Sequence, residues 1–405
     1  MAAYLSEWLS LLIRWFHVIA GVAWIGASFY FIWLDNHLED PPEWKKKKGI
    51  KGDLWAVHGG GFYEVAKYKL GPEKMPGILH WFKWEAYSTW LSGTALLFSV
   101  YYFGSPGYLI DNAKMELSTL SAALIGLGFI GGVLLVYELL IRSPLARNGM
   151  AFGAVLFALL LVVDWALFQV FAGRGAFIHV GAVIGTLMVG NVFLGIMPSQ
   201  RALVETVEQG REPDERVAQL AALAKLRSTH NNYLTLPVIF IMISNHYPML
   251  YGHAHGWLIL AAIGFITAFA RHFFNLKHRG VYRPSIILAC GIMTVILIGV
   301  IAPPTGKQAA AQAAAAAEAA GEVSDADIHS LVSTHCAGCH AKEPSSPAFQ
   351  AAPAGIALDT LDEVVQHNDQ IMQAAVNSQY MPLGNTTGMT EEDRKKLGAW
   401  LQAHK

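Results

Sequence analysis

Charge is what this chain has least of. Asp, Glu, Lys and Arg make up only 15% of its 405 residues while 54% are hydrophobic, which excludes an ordinary soluble domain, where about a quarter of residues are charged. The net charge is −1, and no nucleic-acid partner is expected. Cysteine is almost absent too, with three residues in all. Cys290 lies inside an apolar run and reads as a small buried hydrophobe. No basic start precedes the first apolar run, which is also too long for a signal peptide, so no cleavable leader is expected.

What is abundant is apolar sequence in blocks long enough to cross a hydrocarbon core of about 30 Å. The blocks run approximately over 8–34, 86–103, 119–141, 150–172, 176–197, 233–247, 256–274 and 284–302, and the sixth is short. Lys and Arg alternate between the connecting segments. The first carries Lys45 to Lys48, Lys51, Lys67, Lys69, Lys74 and Lys83, the second only Lys114, the third Arg142 and Arg147, and the fourth only Arg174. The fifth carries Arg201, Arg211, Arg216, Lys225 and Arg227, the sixth no Lys or Arg, and the seventh Arg271, Lys277, Arg279 and Arg283. Positive residues stay on the cytoplasmic side of short loops, so eight spans put both termini outside.

The two remaining cysteines form Cys336-Ala337-Gly338-Cys339-His340. This C-x-x-C-H run is the attachment signature of a covalent c-type haem: two thiols add across the vinyl groups and the adjacent imidazole ligates iron. A zinc site needs further ligands at set spacing, and a thioredoxin-type pair lacks the histidine. Met381 is the natural sixth ligand. The expected cofactor is haem c, held by Cys336, Cys339, His340 and Met381. Its attachment on the outer face agrees with the charge count.

Pro303-Pro304 ends the eighth run, and the Ala-rich segment 304–324 reads as a tether. Residues 325–405 then form a small domain with the signals of a class I cytochrome c. Ile328, Leu331 and Val332 make an apolar stripe before the haem motif. Thr390 and Asp393 resemble a capping box opening a helix whose Leu397, Trp400 and Leu401 turn inward. From Glu322 onwards eleven acidic residues oppose five basic ones, which would steer a basic redox partner to this domain. The fold class is therefore all-α: an eight-helix transmembrane domain over 1–303, a linker over 304–324, and a cytochrome c domain over 325–405 on the outer face.

Ionisable residues inside a bilayer are functional candidates because burying them is costly. Arg14 and His17 are three apart in the first run, and Gly21, Trp24 and Ser28 continue the His17 face. His80, His230 and His272 fall near cytoplasmic ends, with Asn231, Asn232 and Arg271 adjacent, and His179 falls near an outer end. Glu138 and Asp164 could pair with Arg14 or carry protons. Between the first two runs lies a stretch with Trp44, Trp55 and Tyr63 and the turn His58-Gly59-Gly60-Gly61-Phe62, whose glycines would permit close approach to a ligand.

Three segments carry a resemblance: 15–26 (WFHVIAGVAWIG), 55–62 (WAVHGGGF) and 80–85 (HWFKWE). With the terminal haem motif they resemble the membrane-bound cytochrome c urate oxidases, the urate hydroxylase PuuD family, over the full chain. The resemblance implies oxidation of urate to 5-hydroxyisourate in purine breakdown, in a bacterial inner membrane, with membrane lipid around the spans. Electrons would leave through haem c to a soluble cytochrome c or terminal oxidase. Urate is a flat, hydrogen-bonding monoanion, suited to Arg or Lys, an amide edge and an aromatic face, and His is the expected base. Arg14, His17, His80, His179, His230 and His272 are the candidate catalytic residues. A cytoplasmic-side site would lie most of a bilayer from haem c. That distance calls for an intermediate carrier, most simply haem b on two histidines with His17 first. The competing arrangement groups Arg14, His17 and His179 around urate near the outer leaflet, with no second haem. Two other functions fit the composition: a quinol or other small-molecule dehydrogenase, and an electron-transfer subunit whose partner is the enzyme.

Overall fold

The computed structural model describes residues 2–302, 323–346, 349 and 351–404. Most of the expected linker, 304–324, lies outside the described residues. Apolar runs become helices because in hydrocarbon each backbone N–H and C=O must be satisfied within its own segment. All eight runs fall on helical segments: α1 (Ala2–His37), α2 (Trp84–Leu96), α3 (Thr119–Ile141), α4 (Gly149–Val170), α5 (Gly173–Gly190), α6 (Glu215–Ser244), α7 (Gly256–His278) and α8 (Ser285–Ile301). Wider π turns extend α2 over Leu97–Tyr102 and α5 over Asn191–Ile196, after which α5 continues as Met197–Glu208. Among the described residues five helical stretches are long and apolar enough to cross a membrane: Glu7–His37, Thr119–Ile141, Gly149–Val170, Gly173–Glu208 and Gly256–His278.

The stretch from Gly173 is the most buried of the five. It packs against α2, α3, α4 and α6, while α1 lies on α2 and α8 on α7. Leu9, Trp15, Phe16, Ile19 and Val22 of α1 and Leu288, Val295 and Ile296 of α8 stay exposed. Their apolar surfaces suit lipid.

Two expectations need correction. The chain is not purely helical: β1 (Ile50–His58) and β2 (Gly61–Tyr68) pair as an antiparallel hairpin. Its two-residue loop is Gly59-Gly60, with φ of +58° and +82°, the conformation that a tight hairpin of this hand requires. These glycines turn a strand, and nothing comes within 4 Å of where their side chains would be. Lys45, buried, donates to Asp53 and Glu64 across the hairpin, which holds its ammonium above the usual lysine range, chiefly through Asp53.

The second correction concerns the sixth run. The helix begins at Glu215, 18 residues before the apolar stretch at 233. Arg227, His230, Asn231 and Asn232 interrupt the hydrophobic pattern, yet all four are buried, and each is hydrogen-bonded to a neighbouring helix, although Arg227 Nε has no partner among the described residues.

After the eighth helix, α9 (Asp325–His335), α10 (Leu361–Gln366) and α11 (Glu391–Ala403) form a small C-terminal unit. Ile328, Leu331, Val332, Leu397, Trp400 and Leu401 are buried in one cluster. The capping box at Thr390 and Asp393 is formed, and matching boxes open α9 at Ser324 and α10 at Thr360.

The bundle has two distinguishable ends. Leu383 and Tyr380 of the C-terminal unit meet Gly107 and Tyr251, which defines a proximal end. His37 and His278, at the far termini of α1 and α7, face each other with ring centroids 5.6 Å apart, which marks the distal end.

Candidate functional site

The distal half of the bundle holds a buried polar constellation built on α6. Arg227 donates to both oxygens of Glu138 on α3, at 2.5 and 2.8 Å, and to Asn191 Oδ1 at 3.1 Å. Asn191 Nδ2 donates to Asn231 Oδ1, whose own amide donates to the Met188 carbonyl. Arg142 reaches Glu138 from the next turn. Glu138 thus answers Arg227 and Arg142, and the expected pairing with Arg14 is not formed. Removing one member of such a buried pair costs about 3–5 kcal/mol, because the other charge is stranded. The group holds α3, α5 and α6 together.

One residue along α6, the network turns toward α7 and α1. Arg271 Nε donates to Asn232 Oδ1 at 2.8 Å, and Asn275 Nδ2 donates to the same oxygen at 3.0 Å. Since Arg can only donate, the Asn232 oxygen is fixed as acceptor, and this orients the Asn275 amide. Asn275 Oδ1 is then a buried acceptor with no partner. The Arg271 guanidinium lies 3.8 Å from the Phe29 ring centre, a stacked arrangement that orients its free edge. Phe29, Trp33 and His37 follow one another at four-residue spacing on α1, opposite Arg271, Asn275 and His278 on α7. His272 Nδ1 is 2.6 Å from the Tyr233 hydroxyl. A fixed cation and an orphaned acceptor meet on Asn232, and His272 follows Arg271 along α7. Together they can hold a small planar anion that also has N–H groups to donate.

The six candidates from the sequence fall in separate surroundings. His17 Nδ1 donates to the Thr89 carbonyl and to Ser92 Oγ, both at 3.0 Å, leaving Nε2 bare. Arg14 is half-buried and within electrostatic reach of Tyr101. His179 is saturated: Nδ1 donates to the Gly175 carbonyl at 2.7 Å and Nε2 accepts from Tyr102 at 3.0 Å. His230 Nδ1 is 2.7 Å from Tyr137, with its ring stacked on Phe152. His80 is exposed in an irregular segment. Only His230 and His272 border the polar constellation. Asp164 is buried, and its Oδ1 has no hydrogen-bond partner.

Sequence reasoning noted Arg271 and Asn232 only as neighbours of histidines and missed Asn275, Phe29, His37 and His278. The four-residue spacing of Phe29, Trp33 and His37 was the available signal.

In the C-terminal unit, Cys336 and Cys339 are free thiols. Burial pushes the Cys336 thiol up to about 11. His340 Nδ1 donates to the Ile356 carbonyl at 2.9 Å, so its Nε2 is bare, as an iron ligand requires. Cys336 and Met381 both pack on the apolar cluster of the unit. The donor set fits haem c: two free thiols, an oriented imidazole and a thioether on one core. His179 has no free nitrogen, and among the described residues the close histidine ring pairs are His37 with His278 and His253 with His255, neither of which includes His17.

Long apolar helices around a buried interior that carries charged groups define a helical protein whose bundle is suited to a membrane. Residues 3–302 match the family model described as urate oxidase N-terminal. The match covers most of the chain, which therefore belongs to that family and is related to enzymes of urate oxidation. Comparison with curated proteins and with solved structures gives no match.

Proposed function

We propose that the protein oxidises urate to 5-hydroxyisourate and passes the electrons to a covalent haem c, and on to a soluble cytochrome c or terminal oxidase of the respiratory chain. The observation that carries this reading is the unpartnered Asn275 Oδ1 beside the Arg271 guanidinium, inside the family-matched region. Urate supplies what both lack, an anionic edge for Arg271 and an N–H for Asn275. Asn232 holds both in place. His272, tied through Nδ1 to Tyr233, has its other nitrogen available to take a proton from urate or from the attacking water.

The reaction balances as urate plus water giving 5-hydroxyisourate, two protons and two electrons. Haem c, held by Cys336, Cys339, His340 and Met381, would supply a one-electron acceptor, so the two electrons leave in separate events. Haem b forms no part of the proposal.

The remaining features support a bacterial inner-membrane protein with eight spans, both termini periplasmic and the cytochrome c domain outside. The two loops that touch the C-terminal unit, around 107 and 251, are those that the Lys and Arg count assigns to the outer face.

Anaerobic addition of urate to the oxidised protein, followed at the haem c α band, tests the proposal. Reduction is expected. Intact haem that quinols reduce and urate does not would shift the assignment to a quinol dehydrogenase. Reduction by neither would leave an electron-transfer subunit.

A further inference from the structure

The C-terminal unit meets the bundle along a close seam. On the bundle side are segments 105–111 and 248–252, and on the other side is segment 378–385, the loop that carries Met381. Tyr380 sets its ring edge against Tyr251, with centroids 5.4 Å apart at 72°. It packs on the bundle's apolar cluster, which includes Leu109, Ile110 and Leu250, while Met381 beside it packs on the cluster of its own unit. The loop therefore alternates its side chains between two cores.

Backbone approaches backbone here. A side chain at Gly107 would begin 2.7 Å from the Leu383 carbonyl oxygen, and one at Gly384 would begin 2.6 Å from Gly107 Cα. Neither position has room for a methyl group. Gly384 also has a φ of +61°, which an L side chain rarely adopts. Arg394 clamps the same loop from above, donating to the carbonyls of Ala375 and, at 2.6 Å, Met381. Asp111 of the bundle lies within electrostatic reach of that guanidinium. Ring contacts then continue inward from Tyr251 to Phe177 and Phe168, at 6.1 and 5.7 Å.

We propose that this seam is a permanent intramolecular docking face, whose occupant is the chain's own C-terminal unit, held by its Met381 loop. The unit is then no mobile carrier on a tether. Its Met381 side is committed to the bundle, and an external acceptor must use another side. Tyr380, Tyr251 and Gly107 are positioning residues for the loop. Taking this contact as the electron route rests on the function proposed above; the docking itself does not.

Amide hydrogen exchange on the full-length protein in lipid nanodiscs, without urate, tests the docking. Tyr380→Ala and Gly107→Ala are each expected to speed exchange about tenfold in all three segments together, while 391–403 is unchanged, because a shared face opens as one unit. Tyr380→Phe, which keeps the ring edge on Tyr251, should speed exchange less than Tyr380→Ala. Faster exchange confined to the substituted segment, or wild-type segments exchanging like unprotected chain, would overturn the proposal. Since urate is absent throughout, failure of the docking and failure of the urate reading are separate results.

Discussion

One buried amide oxygen, Asn275 Oδ1, marks the Arg271 group as the candidate binding site in this bundle. Arg227, Glu138, Asn191 and Asn231 bond one another and leave only a donor, Arg227 Nε, unpartnered, whereas the Arg271 group leaves an acceptor, Asn275 Oδ1, with nothing to accept from. A hydrogen bond to a charged group contributes roughly 1.5–3 kcal/mol, and stranding its partner costs about as much. Arg271→Met and Asn275→Leu are therefore each expected to weaken urate binding by roughly 10- to 100-fold. Both should leave reduction of haem c by a chemical reductant unchanged. Equilibrium binding of urate to the oxidised variants measures the effect. Unaltered affinity in both would remove urate from this constellation. The haem ligands were legible in the sequence because attachment chemistry dictates adjacent residues. The Arg271 group was not, because its members come from α1, α6 and α7 and only tertiary packing brings them together.

Helices stand where the apolar runs are because satisfying the backbone in hydrocarbon leaves few alternatives. The misread elements are those where polar residues are satisfied by tertiary partners. Arg227 and His230 resemble interfacial residues until Glu138 and Tyr137 are seen to meet them. The hairpin had a local signal, Gly59-Gly60 between two short runs suited to strands.

In the C-terminal unit the helix starts rest on capping carboxylates, and these set a pH window. Hydrogen bonds from Ser324 hold Asp327 below its ordinary 3.8. Lys342 first, then Thr360 and Asp359, hold Glu363 below 4.5. A depressed folded-state pKa contributes stability that is present above the unfolded value and lost as pH falls through the folded one. The melting temperature of this unit should therefore be flat from neutral pH to about pH 5 and fall below about pH 4. Asp327→Asn should lower it by a few degrees at pH 7 and reduce the acid drop. A variant whose profile parallels the wild type down to pH 3 would show that the carboxylate charge is irrelevant.

At the scale of the whole molecule, the Arg271 constellation and the C-terminal unit that carries the Cys336–His340 run lie at opposite ends. Arg271 is 15 residues from Gly256, where α7 begins at the proximal end, so the two lie roughly 22 Å apart along the helix at 1.5 Å per residue. Among the described residues, the ring contacts from Tyr251 reach inward as far as Phe168. Electron passage, and not proton removal at His272, is then expected to limit turnover. In a single-turnover stopped-flow experiment, urate should bind well before haem c is reduced. Replacing solvent water by deuterium oxide should change the reduction rate little, because proton transfer lies outside the slow step. Reduction as fast as binding would instead favour a site at His17, whose Nδ1 is held by Thr89 and Ser92 of α2 and whose Nε2 is bare. That is the arrangement in which Arg14 and His17 hold urate nearer the C-terminal unit. Saturation of His179 by Tyr102 and Gly175 already removes the third member of that group, so the fast outcome would have to be explained by two residues alone.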